Sequence, residues 1–204
     1  MKKYIARILT VLLSMTALLV LAACNEEGGR IVYTEPAKES VSVTEAEEYE
    51  LPEGYALYTR GPISFAYPAE WFVAKADDGT HMLSPEELTV DHIPSSYITV
   101  VYSVNTVAQE DITTEWYLDR LESKLEAAGA SVSGFTVTQT TNEAGVFVAV
   151  AEYRLTVEGA WADQTQYVVK GRGNVYYFIT FTLGEEYSEI PVTVLESLRV
   201  KQGY

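Results

Sequence analysis

The 204-residue chain carries 29 acidic against 14 basic side chains, for a net charge of −15. Phosphate backbones and anionic lipid surfaces repel such a chain, so nucleic acid is not expected among its partners. A hydrophobic content of 48% still allows a real core, while the single cysteine excludes an intramolecular disulfide and gives no cysteine pair for a metal or redox motif.

Lys2, Lys3 and Arg7 open the chain, and an apolar run from Ile8 to Leu21 is interrupted only by Thr10, Ser14 and Thr16. Ala22 and Ala23 follow, which completes the charged, apolar and cleavage regions of a secretory signal peptide over residues 1–23. The run is shorter than the ~20 apolar residues a spanning helix needs. Leu21-Ala22-Ala23-Cys24 resembles the bacterial lipobox. That resemblance implies a diacylglyceryl group on the Cys24 thiol, cleavage just before it, and usually acylation of the new amino terminus. Two or more acyl chains anchor stably, whereas one binds a membrane only marginally. The expected location is therefore the extracytoplasmic face of the cell membrane, held by lipid. In a cell with an outer membrane, Asn25 in place of aspartate after the cysteine resembles the pattern sorted outward. The alternative is an uncleaved signal anchor with an incidental buried cysteine.

Residues 24–50 are rich in Glu, Ser and Thr, with few large apolar residues beyond Ile31, Val32 and Tyr33. Such a composition buries too little surface to offset chain entropy, and it reads as a flexible acidic tether. About 26 residues at ~5.5 Å per square root of residue number reach roughly 28 Å, enough to clear the lipid headgroups. Residues 51–204 then form one domain.

Within that domain, Ile63-Ser64-Phe65-Ala66-Tyr67 alternates like a half-buried strand that Pro68 ends. Ile98, Val100, Tyr102 and Val104 line one face of a second strand. Asp111 or Thr113 caps a helix with Leu118, Leu121, Leu125 and Ala128 on its apolar face and Gly129 as its stop. Val132 to Thr141 and Val146 to Val157 are strands joined by Asn142-Glu143-Ala144-Gly145. Asp163 to Lys170 follows the Gly159-Ala160 break, and Gly171-Arg172-Gly173-Asn174 is a hairpin turn into Val175 to Leu183. Ser188 caps a last helix that buries Ile190, Val194 and Leu198, with Pro191 in its first turn. Consecutive strands with short turns predict an antiparallel meander, and two amphipathic helices need a sheet to cover, so the fold class is α+β.

Phe65-Ala66-Tyr67-Pro68-Ala69-Glu70-Trp71 resembles the opening "F-x-Y-P-x-x-W" of the PsbP-like and DcrB-like families. The strand Tyr176 to Thr182, then Tyr187, then a helix ending Leu195-Glu196-Ser197-Leu198 is similar to their closing half. The resemblance covers Leu57 to Val200. It implies a twisted antiparallel sheet flanked by helices, an α/β/α sandwich, in proteins that mostly act as accessory or binding factors.

Three sets of residues are candidates for chemistry. His81 and His92, with Asp77, Asp78 and Asp91, have the donor types for zinc or manganese, although their spacing matches no familiar ligand motif and Asp77-Asp78-Gly79 also reads as a turn between strands. Trp71 either packs over the strand ended by Pro68 or serves as a ligand platform. Tyr176 and Phe178 share a sheet face that Tyr153 and Tyr167 extend, depending on register. The fifteen tyrosines make an aromatic binding surface conceivable, unless a helix covers that face. No Gly-x-Ser-x-Gly elbow or phosphate loop occurs, and abundant carboxylates are not by themselves a glycosidase site. The resulting expectation is a non-catalytic, lipid-anchored accessory or binding domain for an envelope protein or small ligand, without a cofactor. Its rivals are a metal-dependent envelope enzyme and a purely structural envelope protein.

Overall fold

The computed structural model describes residues 50–201, apart from 77, 90, 91, 93 and 128; in the first helix the side chains of 120–124, 126 and 127 are not described either. Cys24, the signal segment and all of the tether but Glu50 lie outside the described residues, as do Asp77 and Asp91.

The architecture is α+β. Among the described residues ten strands and two helices follow one another as β1 (Tyr55–Arg60), β2 (Ile63–Pro68), β3 (Phe72–Lys75), β4 (His81–Ser84), β5 (Tyr97–Val104), α1 (Thr114–Ala127), β6 (Ala130–Thr141), β7 (Phe147–Val157), β8 (Ala160–Lys170), β9 (Val175–Thr182), α2 (Ile190–Ser197) and β10 (Arg199–Val200). A seven-stranded antiparallel sheet runs in the order β3-β4-β5-β9-β8-β7-β6, and a separate three-stranded sheet runs β1-β2-β10. The β6–β9 meander follows the expected order. The small sheet and the four-residue strands β3 and β4 are additions to the sequence reading. Among the described residues, no helix is long and apolar enough to cross a membrane.

Each face of the large sheet carries its own core. On one face Ile112, Tyr117 and Leu125 pack against Ala149, Tyr153, Leu155, Val168, Tyr176 and Phe178. On the other, α2 and the small sheet bring Val194, Phe65 and Ile63 onto Leu83, Val100, Val169 and Ile179. Burial of both faces is why β9 reads as a nearly continuous apolar run.

Helix α1 starts as expected from Thr113, whose Oγ1 accepts from the Trp116 N–H at 3.2 Å, while Asp111 sits in a preceding 3-10 turn. It stops at Gly129, where φ is +64°. Of its expected apolar face Leu125 is buried, Leu118 is 39% exposed and Tyr117 takes a buried position instead, while the side chains of Leu121 and Ala128 lie outside the described ones. Ser188 does not cap α2. It ends a short 3-10 segment instead, and Glu189 occupies the cap position with no side-chain hydrogen bond. Ile190, Val194 and Leu198 are buried, as their spacing predicts.

Asn142 carries long-range order. Its Oδ1 accepts from Ala144 and Val146 N–H within the β6–β7 turn, and its Nδ2 donates to the carbonyls of Leu195 and Leu198, both at 2.8 Å. One amide thus closes its own turn and pairs two part-buried carbonyls at the end of α2.

Candidate functional site

Strand length sets the site. An eleven-residue strand such as β7 or β8 spans about 36 Å. The eight residues of α2 span only about 12 Å. The α2-side face of the large sheet is therefore left open at the β6–β7–β8 end, and a groove of about 630 Å3 lies there.

Cross-strand rows build its floor. Thr136, Glu152, Thr165 and Phe181 stand in register across β6, β7, β8 and β9, and the next row is Ser133, Arg154 and Asp163. Between the two rows β6 shifts register at Ser133/Thr136, where Gly134 takes φ of +62°. A bulge of this kind bends its strand and re-aims neighbouring side chains. The opposite wall comes from Leu183, Glu185 and Ser188 in the segment between β9 and α2, and from Pro191 in the first turn of α2. Tyr167 fixes that wall, because its hydroxyl donates to the Pro191 carbonyl at 3.0 Å. Burial raises the Tyr167 pKa, and the Glu152 carboxylate adds to the effect, so the hydroxyl keeps its proton.

Arg154 and Asp163 form a two-pronged pair, Nε to Oδ1 at 2.7 Å and Nη2 to Oδ2 at 2.8 Å. That hydrogen bonding lowers the Asp163 pKa and raises that of Arg154. The Arg154 guanidinium also lies 4.0 Å from the ring centroid of Trp161, which is 59% exposed beside the same rows. Glu152 and Glu185 are exposed and, among the described residues, have no ion-pair partner.

The residues singled out in the sequence lie elsewhere. Tyr176 and Phe178 are each only 1% exposed under α1, and the Tyr176 hydroxyl donates to Val107 O at 2.6 Å. They are core residues rather than a ligand surface, because α1 must bury its apolar side on that face. Tyr153 joins the same core, whereas Tyr167 is buried on the opposite one. Trp71 is 5% exposed and meets Tyr187 edge-on, with ring centroids 5.2 Å apart, so it packs over the strand as its position after Pro68 suggests.

His81 opens β4, and its Nδ1 lies 2.8 Å from the Tyr58 hydroxyl. Burial, with Arg60 and Lys75 nearby, pushes its pKa down to about 4. His92 lies in the β4–β5 loop and pairs with Glu86. Asp78 accepts from the Thr80 N–H in the β3–β4 turn, as its turn composition suggests. Among the described residues no three His, Cys, Asp or Glu side chains gather in a metal-binding group. Sequence reasoning missed the groove, although an isolated glycine inside the Val/Thr-rich β6 pattern is a bulge signal and could have marked one edge.

Fold comparison finds similar solved structures. The chain is similar to the solution structure of cyanobacterial PsbP (CyanoP) from Synechocystis sp. PCC 6803, with a TM-score of 0.54 and 14% identity, over 79% of this chain and 99% of that one. The fold is PsbP-like. A Bacteroides thetaiotaomicron crystal structure (TM-score 0.43, 13% identity, 72% of this chain and 48% of that one) also matches. So does a Pseudomonas aeruginosa protein of unknown function described as a putative regulator (0.39, 17%, 73% and 99%). No protein-family model matches the sequence, and no curated protein does. At this identity the PsbP likeness fixes the fold alone.

Proposed function

We propose that this protein is an extracytoplasmic lipoprotein, anchored through Cys24, whose PsbP-like domain serves as a non-catalytic binding or accessory module for a partner protein. The observation that carries the binding role is the open groove. In it hydroxyls, charges and a few apolar side chains meet, beside the exposed Trp161. Such a mixture suits recognition of a partner. The metal-enzyme reading draws little support from His81, whose ring meets Tyr58 and has the cations Arg60 and Lys75 as neighbours.

The anchor rests on the lipobox resemblance at Leu21 to Cys24, and it is tested by Cys24→Ser. In cells fed a labelled fatty acid, the wild-type chain should take up label and fractionate with membranes. The variant should take up none and stay unprocessed or turn soluble. A variant that is cleaved but remains membrane-bound would end the anchor reading.

A further inference from the structure

We propose that the groove takes a basic segment of a partner protein, seating a lysine or arginine side chain with Glu152 and Glu185 as its counter-charges. This inference rests on the groove being the docking site.

The charge inventory decides the sign of the occupant. Three carboxylates line the groove, on Glu152, Asp163 and Glu185, against the single cation of Arg154. Arg154 is committed to Asp163 through both prongs of its guanidinium and to the ring of Trp161. Glu152 and Glu185 stand on opposite sides of the groove, one on the β7 floor and one in the wall before α2, without ion-pair partners among the described residues. An anionic occupant would face two uncompensated carboxylates, whereas a cationic one completes them.

The rest of the lining fits a long basic side chain better than a compact ion. Leu183 and Pro191 offer apolar contact for a methylene stem, which lysine and arginine bury while their charged heads stay solvated. Thr136, Thr165 and Ser188 offer hydroxyls to the polar atoms of a neighbouring main chain. The open groove of about 630 Å3 has room for a few residues of an extended segment. The chain's net charge of −15 adds long-range attraction for the same class of partner.

The experiment uses fluorescence anisotropy with a labelled seven-residue peptide rich in lysine and arginine, at low salt. The wild-type protein should bind it saturably, and affinity should fall as salt screens the contact. Glu152→Gln with Glu185→Gln should weaken binding about tenfold, or about 1.4 kcal/mol. Glu70→Gln with Glu115→Gln, exposed residues outside the groove, makes the same charge change and should shift binding less than about twofold if contact rather than net charge matters.

Equal losses in the two double variants, no saturable binding, or spermidine competing as tightly as the peptide would each overturn the proposal. A photoreactive residue replacing Ser131, exposed on β6 beside the groove but outside its lining, used in native membranes, separates this inference from the reading beneath it. Capture of a protein there while the basic peptide fails leaves the docking role standing and removes the basic occupant. Failure of both removes both.

Discussion

At the β3–β4–β5 end of the large sheet, Arg60 reaches out of β1 to donate to the carbonyls of Val100 and Gly79, with its guanidinium 5.0 Å from the ring centroid of Tyr102. At the β6–β7–β8 end, Arg154 reaches only to Asp163 on the neighbouring strand and to Trp161. Both arginines combine carbonyl or carboxylate contacts with an aromatic ring, but they act in different directions. Arg60 ties one layer to another and helps close the face over Tyr58, Phe65 and Val100. Arg154 lies within its own sheet and leaves the face above it open. A layered fold can therefore keep part of a sheet accessible without exposing its apolar core, provided the open rows are lined with polar pairs rather than aliphatic side chains.

The largest test of this contrast falls on the closed side. Trp71→Ala removes an indole packed against Tyr187 and should cost about 3–5 kcal/mol. Against a total stability of about 5–15 kcal/mol, that loss would be plain in the denaturant midpoint and in near-ultraviolet dichroism. An unchanged midpoint would mean that the closed face does not depend on its aromatic contacts.

A smaller effect comes from His81. Its folded pKa of about 4 lies below the ordinary histidine value of 6.5, so between these limits the unfolded chain binds more protons than the folded one. Stability from this group is full above pH 6.5, declines as pH falls toward 4, and changes little below that. His81→Gln should flatten this part of the stability profile, measured by denaturant midpoints at pH 7, 5.5 and 4. An identical acid loss in the variant would assign the slope to carboxylates instead.

On the open side, Trp161→Ala should alter stability by no more than about 0.5 kcal/mol, the usual range for a surface site. It should nevertheless reduce capture of a partner at the groove. A marked fall in melting temperature would show that the Arg154–Trp161 stack supports the fold, and it would erase the proposed difference between the two ends.

The parts of this architecture that could be read from sequence were those with a repeating pattern or a committed turn. The face of β7 from Phe147 to Val157, the glycine-rich turn before β9 and the Ile190–Val194–Leu198 stripe all announce themselves locally. Strands β3 and β4 have four residues each, too few to establish an alternation, and β1 reads Tyr-Ala-Leu-Tyr-Thr-Arg with a mixed character. Ile98, Val100, Tyr102 and Val104 share a face, but the first two are buried and the last two lie 56% and 66% exposed, because cover over β5 ends partway along. The groove was illegible for a different reason. Its lining comes from four strands, a loop and the first turn of α2, from residue 133 to residue 191, and only the register between strands assembles the floor.

Strand β10 is only two residues long, yet Arg199 and Val200 pair with Ser64 and Ile63, and the Lys201 N–H donates to the Pro62 carbonyl at 2.8 Å. The small sheet is thus completed by a segment more than 130 residues downstream of its central strand. Contacts of such long separation make folding slow, since the intervening chain must be ordered before they form. A chain emerging amino terminus first has β2 long before it has β10, and it cannot finish the closed face until residue 201 is clear. Synthesis that stalls a few residues short of it would leave that edge of β2 unpaired, a template for the wrong neighbour.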